Sequence, residues 1–122
     1  MSTFGIVFRV NGDPVPKQSM RTRSDGRNYT DPKVKAWQDE ITLRAKEAIA
    51  PFRNWEMFKG AVEVRLHFVL PDRKRRDLDN LSKNCLDGIQ GVLFADDAQV
   101  EKLTIVKMWT GTPGVDCWVD PL

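Results

Sequence analysis

The chain has 122 residues, 41% of them hydrophobic and 30% charged, with a formal net charge of +2. That size fits one domain, residues 1–122, which can bury a core without disulfide staples. It excludes a globally basic nucleic-acid binder, and no apolar run nears the ~20 residues of a membrane span, so no membrane partner is expected.

Thr3–Val10 is rich in β-branched and aromatic residues and reads as a first strand, with Phe4, Ile6 and Phe8 on one face. Asn11-Gly12 breaks it. Asp13–Thr30 carries Pro14, Pro16, Gly26 and Asn28 and reads as a long irregular loop. Lys17, Arg21, Arg23 and Arg27 make that loop a candidate phosphate-gripping arm; a solvated loop is the alternative. Asp31-Pro32 is a helix start, with a side-chain acceptor at the N-cap and proline at N1. Val34, Trp37, Ile41, Ala45 and Ala48 form its buried stripe, Gln38 is assigned to the wet face, and Pro51 ends the helix.

Phe52–Gly60 is a connector whose aromatics plug the end of the core. Ala61–Leu70 alternates cleanly, with Val62, Val64, Leu66, Phe68 and Leu70 inward and Glu63, Arg65 and His67 outward. His67, the only histidine, reads as a half-exposed strand residue. A second helix starts around Asp77–Asp79, with Leu78, Leu81, Cys85, Ile89 and Val92 as its apolar face. Val100–Trp109 is a third strand. Thr110–Gly114 is a hairpin-type connection to a short last strand, Val115–Val119. The order β-α-β-α-β-β implies an α+β domain, a mixed four-stranded sheet with two packed helices. Cys85 and Cys117 match neither a zinc pattern nor a disulfide framework. They read as reduced thiols of a cytoplasmic protein; the N-terminus shows no secretory leader.

The chemistry concentrates in Pro71–Val100. Arg73, Lys74, Arg75 and Arg76 run directly into Asp77 and Asp79; Lys83 follows, then the pair Asp96-Asp97. Acids gathered within a few Å repel one another, so a divalent cation is their natural partner, and phosphate is the natural partner of the bases. Magnesium takes one or two carboxylates plus water and substrate phosphates. If the chain folds back, the acids converge at one end of the sheet. Lys83 lies one turn after Asp79, with Asp87 a turn further: a surface charge ladder, or an ammonium beside a scissile phosphate. The residues alone leave open a metal-dependent phosphodiesterase, a non-catalytic nucleic-acid binder and a domain with surface acids.

R-R-D-L-D-N-L-x-K at Arg75–Lys83, D-D-A-Q-V at Asp96–Val100 and V-K-M at Val106–Met108 resemble the RusA family of Holliday-junction resolvases. The opening G-x-P-x-P-K, Gly12 to Lys17, with Arg21 and Arg23, is similar to that family's first motif. The resemblance implies a homodimeric, magnesium-dependent endonuclease, often phage-encoded, that resolves four-way DNA junctions by paired nicks in recombination and repair. It implies Asp77, Asp79 and one aspartate of the pair, placed on Asp97 with Asp96 beside it, as metal ligands. Lys83 would be the catalytic lysine and Asn80 the residue orienting a carboxylate. Lys17, Arg21, Arg23, Arg73, Lys74, Arg75 and Arg76 are the candidate DNA contacts. The competing reading is a binder of branched DNA with the same fold and no cleavage.

Overall fold

The computed structural model describes residues 4–17, 21–22, 24–29 and 31–122. Its elements are β1 (Ile6–Asn11), β2 (Arg21–Thr22), β3 (Asn28–Tyr29), α1 (Pro32–Ile49), β4 (Val62–Val69), α2 (Leu78–Ile89), a 3-10 turn (Asp97–Gln99), β5 (Val100–Met108) and β6 (Gly114–Pro121). Four strands form one sheet in the order β1-β6-β4-β5; β4 and β5 are parallel and the other pairs antiparallel. The expected α+β architecture with a mixed sheet and two helices is therefore present.

Sequence chemistry explains the elements. Asp31 Oδ1 accepts the Lys33 N–H at 2.8 Å, and Pro32 occupies the first turn of α1. Such a cap contributes about 1 kcal/mol. Val34, Trp37, Ile41 and Ala45 are buried on the inner face. Trp37, Ile41 and Ala45 meet Val62, Val64, Leu66 and Phe68 of β4 and Leu81, Cys85 and Ile89 of α2 in one core. The helices touch closely at Gly88, where an added Cβ would lie 2.9 Å from Ile41 Cγ2. Thr42 Oγ1 donates to the Gly88 carbonyl at 2.7 Å and closes that contact.

Five local expectations are corrected. The Asp13–Thr30 loop is not wholly irregular, because β2 and β3 pair within it. Phe4 is exposed, and the inner row of β1 is Ile6, Phe8 and Val10. Leu78 is exposed at the mouth of α2, while Val92 is buried but lies past the helix end. Gln38 is not simply wet: its amide donates to Asn84 Oδ1 at 3.4 Å. Thr110–Gly114 is not a hairpin turn, because β4 lies between β5 and β6.

Two features position the site. The β4-α2-β5 unit is a parallel crossover, so α2 runs back across the sheet between the end of β4 and the start of β5. β5 is an edge strand, with Glu101, Lys102, Leu103 and Thr104 all exposed. Among the described residues, no helix is long and apolar enough to cross a membrane.

Candidate active site

The segment between β4 and α2 is braced by Arg76. Its guanidinium donates to Asp72 Oδ1 at 2.8 Å, to Asp13 Oδ1 at 3.1 Å and to the Lys74 carbonyl at 3.4 Å, and the residue is 8% exposed. The Arg76 hydrogen bond, followed by the Lys74 backbone N–H, holds the Asp72 carboxyl below the usual carboxylate range. Arg76 is pushed up, first by its bond to Asp72. These bonds turn Arg76 inward and tie the start of the loop after β1 to the segment before α2. Arg73, Lys74 and Arg75 remain outward. Arg73 lies 3.5 Å over the Trp109 ring, whose Nε1 donates to the Asp72 carbonyl at 2.9 Å.

Asp77 is the N-cap of α2, yet its carboxylate makes no capping bond to the helix. It accepts from Asn80 Nδ2 at 3.4 Å and lies 3.6 Å from Arg75 Nε. Asp79 projects from the first turn with its Oδ2 3.2 Å from Lys83 Nζ. Two exposed carboxylates thus stand at a helix N-terminus, where the helix dipole favours negative charge.

The basic loop is fastened along the same helix. The Lys17 N–H donates to the Asn80 carbonyl at 2.8 Å, and Lys17 Nζ meets Asp87 Oδ2 at 2.5 Å. Beneath it the fully buried Asn84 donates to the Val15 carbonyl at 3.0 Å and the Val34 carbonyl at 3.2 Å. Sequence reasoning missed Asn84; a polar residue among the apolar positions of α2 is the signal that pointed to it. Lys17 is partnered rather than free. Arg21 is placed by its backbone in β2, and Arg23 lies outside the described residues.

Asp96 and Asp97 lie at the other end of the crossover. Asp77 and Asp79 stand at the first turn of α2 and Asp96 and Asp97 past its last, and the helix of 12 residues is about 18 Å long. Among the described residues of one chain, no three His, Cys, Asp or Glu side chains gather to hold a metal. The acids do not converge within one chain, because a parallel crossover must carry the helix back to the opposite end of the sheet. The pair also divides its work. Asp96 Oδ1 caps the 3-10 turn through the Ala98 N–H at 2.9 Å. Gln99 completes a capping box, accepting from the Asp96 N–H at 3.1 Å and donating to the Phe58 and Gly60 carbonyls at 2.7 and 2.9 Å. The Asp97 side chain is exposed, and its carboxylate has no hydrogen bond or ion pair among the described residues; its backbone carbonyl accepts the Val100 N–H.

The remaining candidates are structural. The His67 ring packs 4.7 Å from Trp118 on the outer face of the sheet. Cys85 and Cys117 are buried free thiols, and burial pushes both up in pKa, away from the reactive thiolate.

Asp77 and Asp79 do suit magnesium: they are hard oxygen donors, adjacent and accessible, with no softer ligand beside them. Two carboxylates would leave the rest of an octahedral shell for water, phosphate or a third acid.

Comparison with known proteins gives the family. Residues 11–119 match the family model described as endodeoxyribonuclease RusA. The chain is 32% identical over 111 residues to the crossover junction endodeoxyribonuclease RusA of Shigella sonnei (strain Ss046), covering 88% of this chain and 85% of that protein. It is 31% identical over 116 residues to the protein of the same name from Aquifex aeolicus (strain VF5), with the same coverage. A third relative, from Enterobacteria phage 82, is 33% identical over 111 residues, again covering 88% and 85%. With nearly its whole length matched, the chain belongs to the RusA endodeoxyribonuclease family.

Proposed function

We propose that this protein is a magnesium-dependent endonuclease that resolves four-way DNA junctions by paired nicks, acting on DNA in the cytoplasm. Asp77, Asp79 and Asp97 are its metal ligands and Lys83 its catalytic lysine. The observation that carries this reading is Asp77, a helix N-cap whose carboxylate is withheld from capping and turned outward beside Asp79. An aspartate at that position ordinarily satisfies the helix N–H groups. When bound, magnesium supplies an activated water and offsets charge on the scissile phosphate.

The chain's own residues prepare for that chemistry. Asn80 steadies Asp77 through its 3.4 Å contact. Lys83, 3.2 Å from Asp79, brings a positive charge to a phosphate seated at the acids. Arg73, Lys74 and Arg75 draw DNA toward the mouth of α2 by backbone electrostatics that carry no base specificity. Because Asp97 lies across the crossover from Asp77 and Asp79, the three acids join only between two copies. A C2 dimer supplies two such sites, matching the two-fold symmetry of a four-way junction.

The test is incubation with a synthetic four-way junction and a matching linear duplex, with and without magnesium, on a denaturing gel. Paired nicks in the junction alone, and only with metal, are expected. Tight junction binding without cleavage would overturn the nuclease reading.

Asp96 and Asp97 separate by experiment. Asp97→Asn is expected to abolish cleavage with Tm unchanged. Asp96→Ala is expected to lower Tm by about 4 °C, the loss of about 1 kcal/mol of capping. Thermal melts beside cleavage assays decide it, and a cleavage-competent Asp97→Asn would move the ligand role off that residue.

A further inference from the structure

The bases before α2 account for attraction to any DNA, because phosphate is the same on a duplex and at a branch. A preference for branches needs a contact that only branched DNA offers. In a linear duplex each base pair is stacked on both faces. At a crossover some pairs lose a neighbour and leave one face bare. A flat, exposed aromatic group beside the acids can take that face, and Trp109 is such a group. We propose that Trp109 and Arg73 form a stacking platform for a bare base face at the branch point, and that this platform sets the preference for branched over linear DNA. This rests on the reading of four-way junctions as the substrate.

The ring is fixed in place. Trp109 directly follows the last residue of β5 and is 39% exposed. Of the four tryptophans it is the exposed one: Trp37 is buried, and Trp55 and Trp118 are half-buried. Its Nε1 donates to the Asp72 carbonyl at 2.9 Å. The segment it meets is itself braced, since Asp72 Oδ1 accepts the Lys74 N–H at 2.9 Å and the Arg76 guanidinium at 2.8 Å. The Met108 carbonyl accepts the Leu70 N–H at 2.8 Å and ties the end of β5 to the same place. The indole therefore stands beside the turn that leads into Asp77. A ring ordered before DNA arrives loses little freedom on stacking.

Arg73 separates this ring from an ordinary surface tryptophan. Its guanidinium carbon lies 3.5 Å from the ring centroid, the distance of a cation stacked on an aromatic face. The guanidinium has no hydrogen bond or ion pair among the described residues, whereas Arg75 lies against Asp77 and Arg76 is bound to two acids. Its N–H donors stay open to a phosphate while arginine and indole together present flat surface to a base. Such stacking tolerates any base, because every base has a π-face. The contact reads the shape of the DNA and not its sequence.

The experiment titrates the full chain in EDTA, where nothing is cut, with a four-way junction and a linear duplex of the same arms. Trp109→Leu keeps an apolar side chain without a ring. It is expected to weaken junction binding about tenfold and to leave duplex binding unchanged. Arg73→Lys keeps the charge and loses the plane. It is expected to weaken junction binding about threefold with the salt slope intact. Trp109→Phe keeps a ring and loses the bond to Asp72, so junction preference is expected to hold while Tm falls by about 4 °C. Wild type is expected to photo-cross-link through Trp109 to iodouracil at the branch point, mapped by mass spectrometry, and not to iodouracil in mid-arm. Equal losses on junction and duplex, altered sedimentation of Trp109→Leu, Trp109→Phe failing as badly as Trp109→Leu, or a cross-link map without Trp109 overturns the platform. If Trp109→Leu binds junctions as wild type does and nicks them once magnesium is added, the platform falls and the nuclease reading stands. A branch-point cross-link at Trp109 in a wild type that cuts no junction with magnesium does the reverse.

Discussion

Asp79→Asn is expected to slow junction cleavage by about 10³-fold or more, the scale on which one electrostatic stabiliser is lost from an active site. The substitution keeps the shape of the side chain and removes the charge. Its structural cost is small, because Asp79 is exposed and its 3.2 Å pair with Lys83 is a surface i,i+4 contact. Such a pair is worth a few tenths of a kcal/mol, and the helix-dipole contribution of a first-turn acid under about 1 kcal/mol. Tm should therefore fall by no more than about 4 °C. Junction affinity without metal should hold or rise, since an acid that repels phosphate is gone. Single-turnover cleavage, metal-free binding and a thermal melt read the three effects separately. Wild-type cleavage by Asp79→Asn would refute its role at the metal.

Arg76→Ala is expected to do the opposite, lowering Tm by about 8 °C with little change in the salt dependence of DNA binding. The loss combines part-buried charge-assisted hydrogen bonds to Asp72 and Asp13, each weakened by the solvent exposure of its acid. The neighbouring Arg75→Ala should leave Tm alone and flatten the slope of log affinity against log salt by about one. Acid adds a further check. The Asp72 carboxyl is held low in the folded protein by Arg76. The stability it confers is therefore full above the ordinary carboxylate pKa and lost as pH falls through the lowered one. Below about pH 4 the wild type should lose Tm more steeply than Arg76→Ala. A steep salt effect from Arg76→Ala with unchanged Tm would return that residue to the DNA surface.

Local chemistry made much of this fold legible. The Asp31-Pro32 start of α1 and the alternation along β4 are set by residues within a few positions of one another, so sequence carries them directly. The acids at the mouth of α2 and their lysine were legible for the same reason, being one turn of helix. What escaped depends on distant partners. Thr110–Gly114 has the composition of a hairpin turn, but the core drew β4 between the strands it joins. Arg76 stands in a run of bases that reads as solvated, and its burial is decided by Asp13, which comes to it from the loop after β1. The opposed placement of the two acid groups could not be read at all without knowing that β4 and β5 run parallel. Asp96 and Asp97 are equivalent as letters; a 2.9 Å bond to Ala98 makes the first a cap.

The parallel crossover has a consequence for when such an enzyme is active. On the reading proposed here, each chain carries halves of two different sites and a whole site in neither. A lone copy on ordinary duplex DNA would then be harmless, and below the association threshold activity would rise with the square of protein concentration. Encounter with a second copy becomes a safeguard against stray scission, written into the direction of one strand.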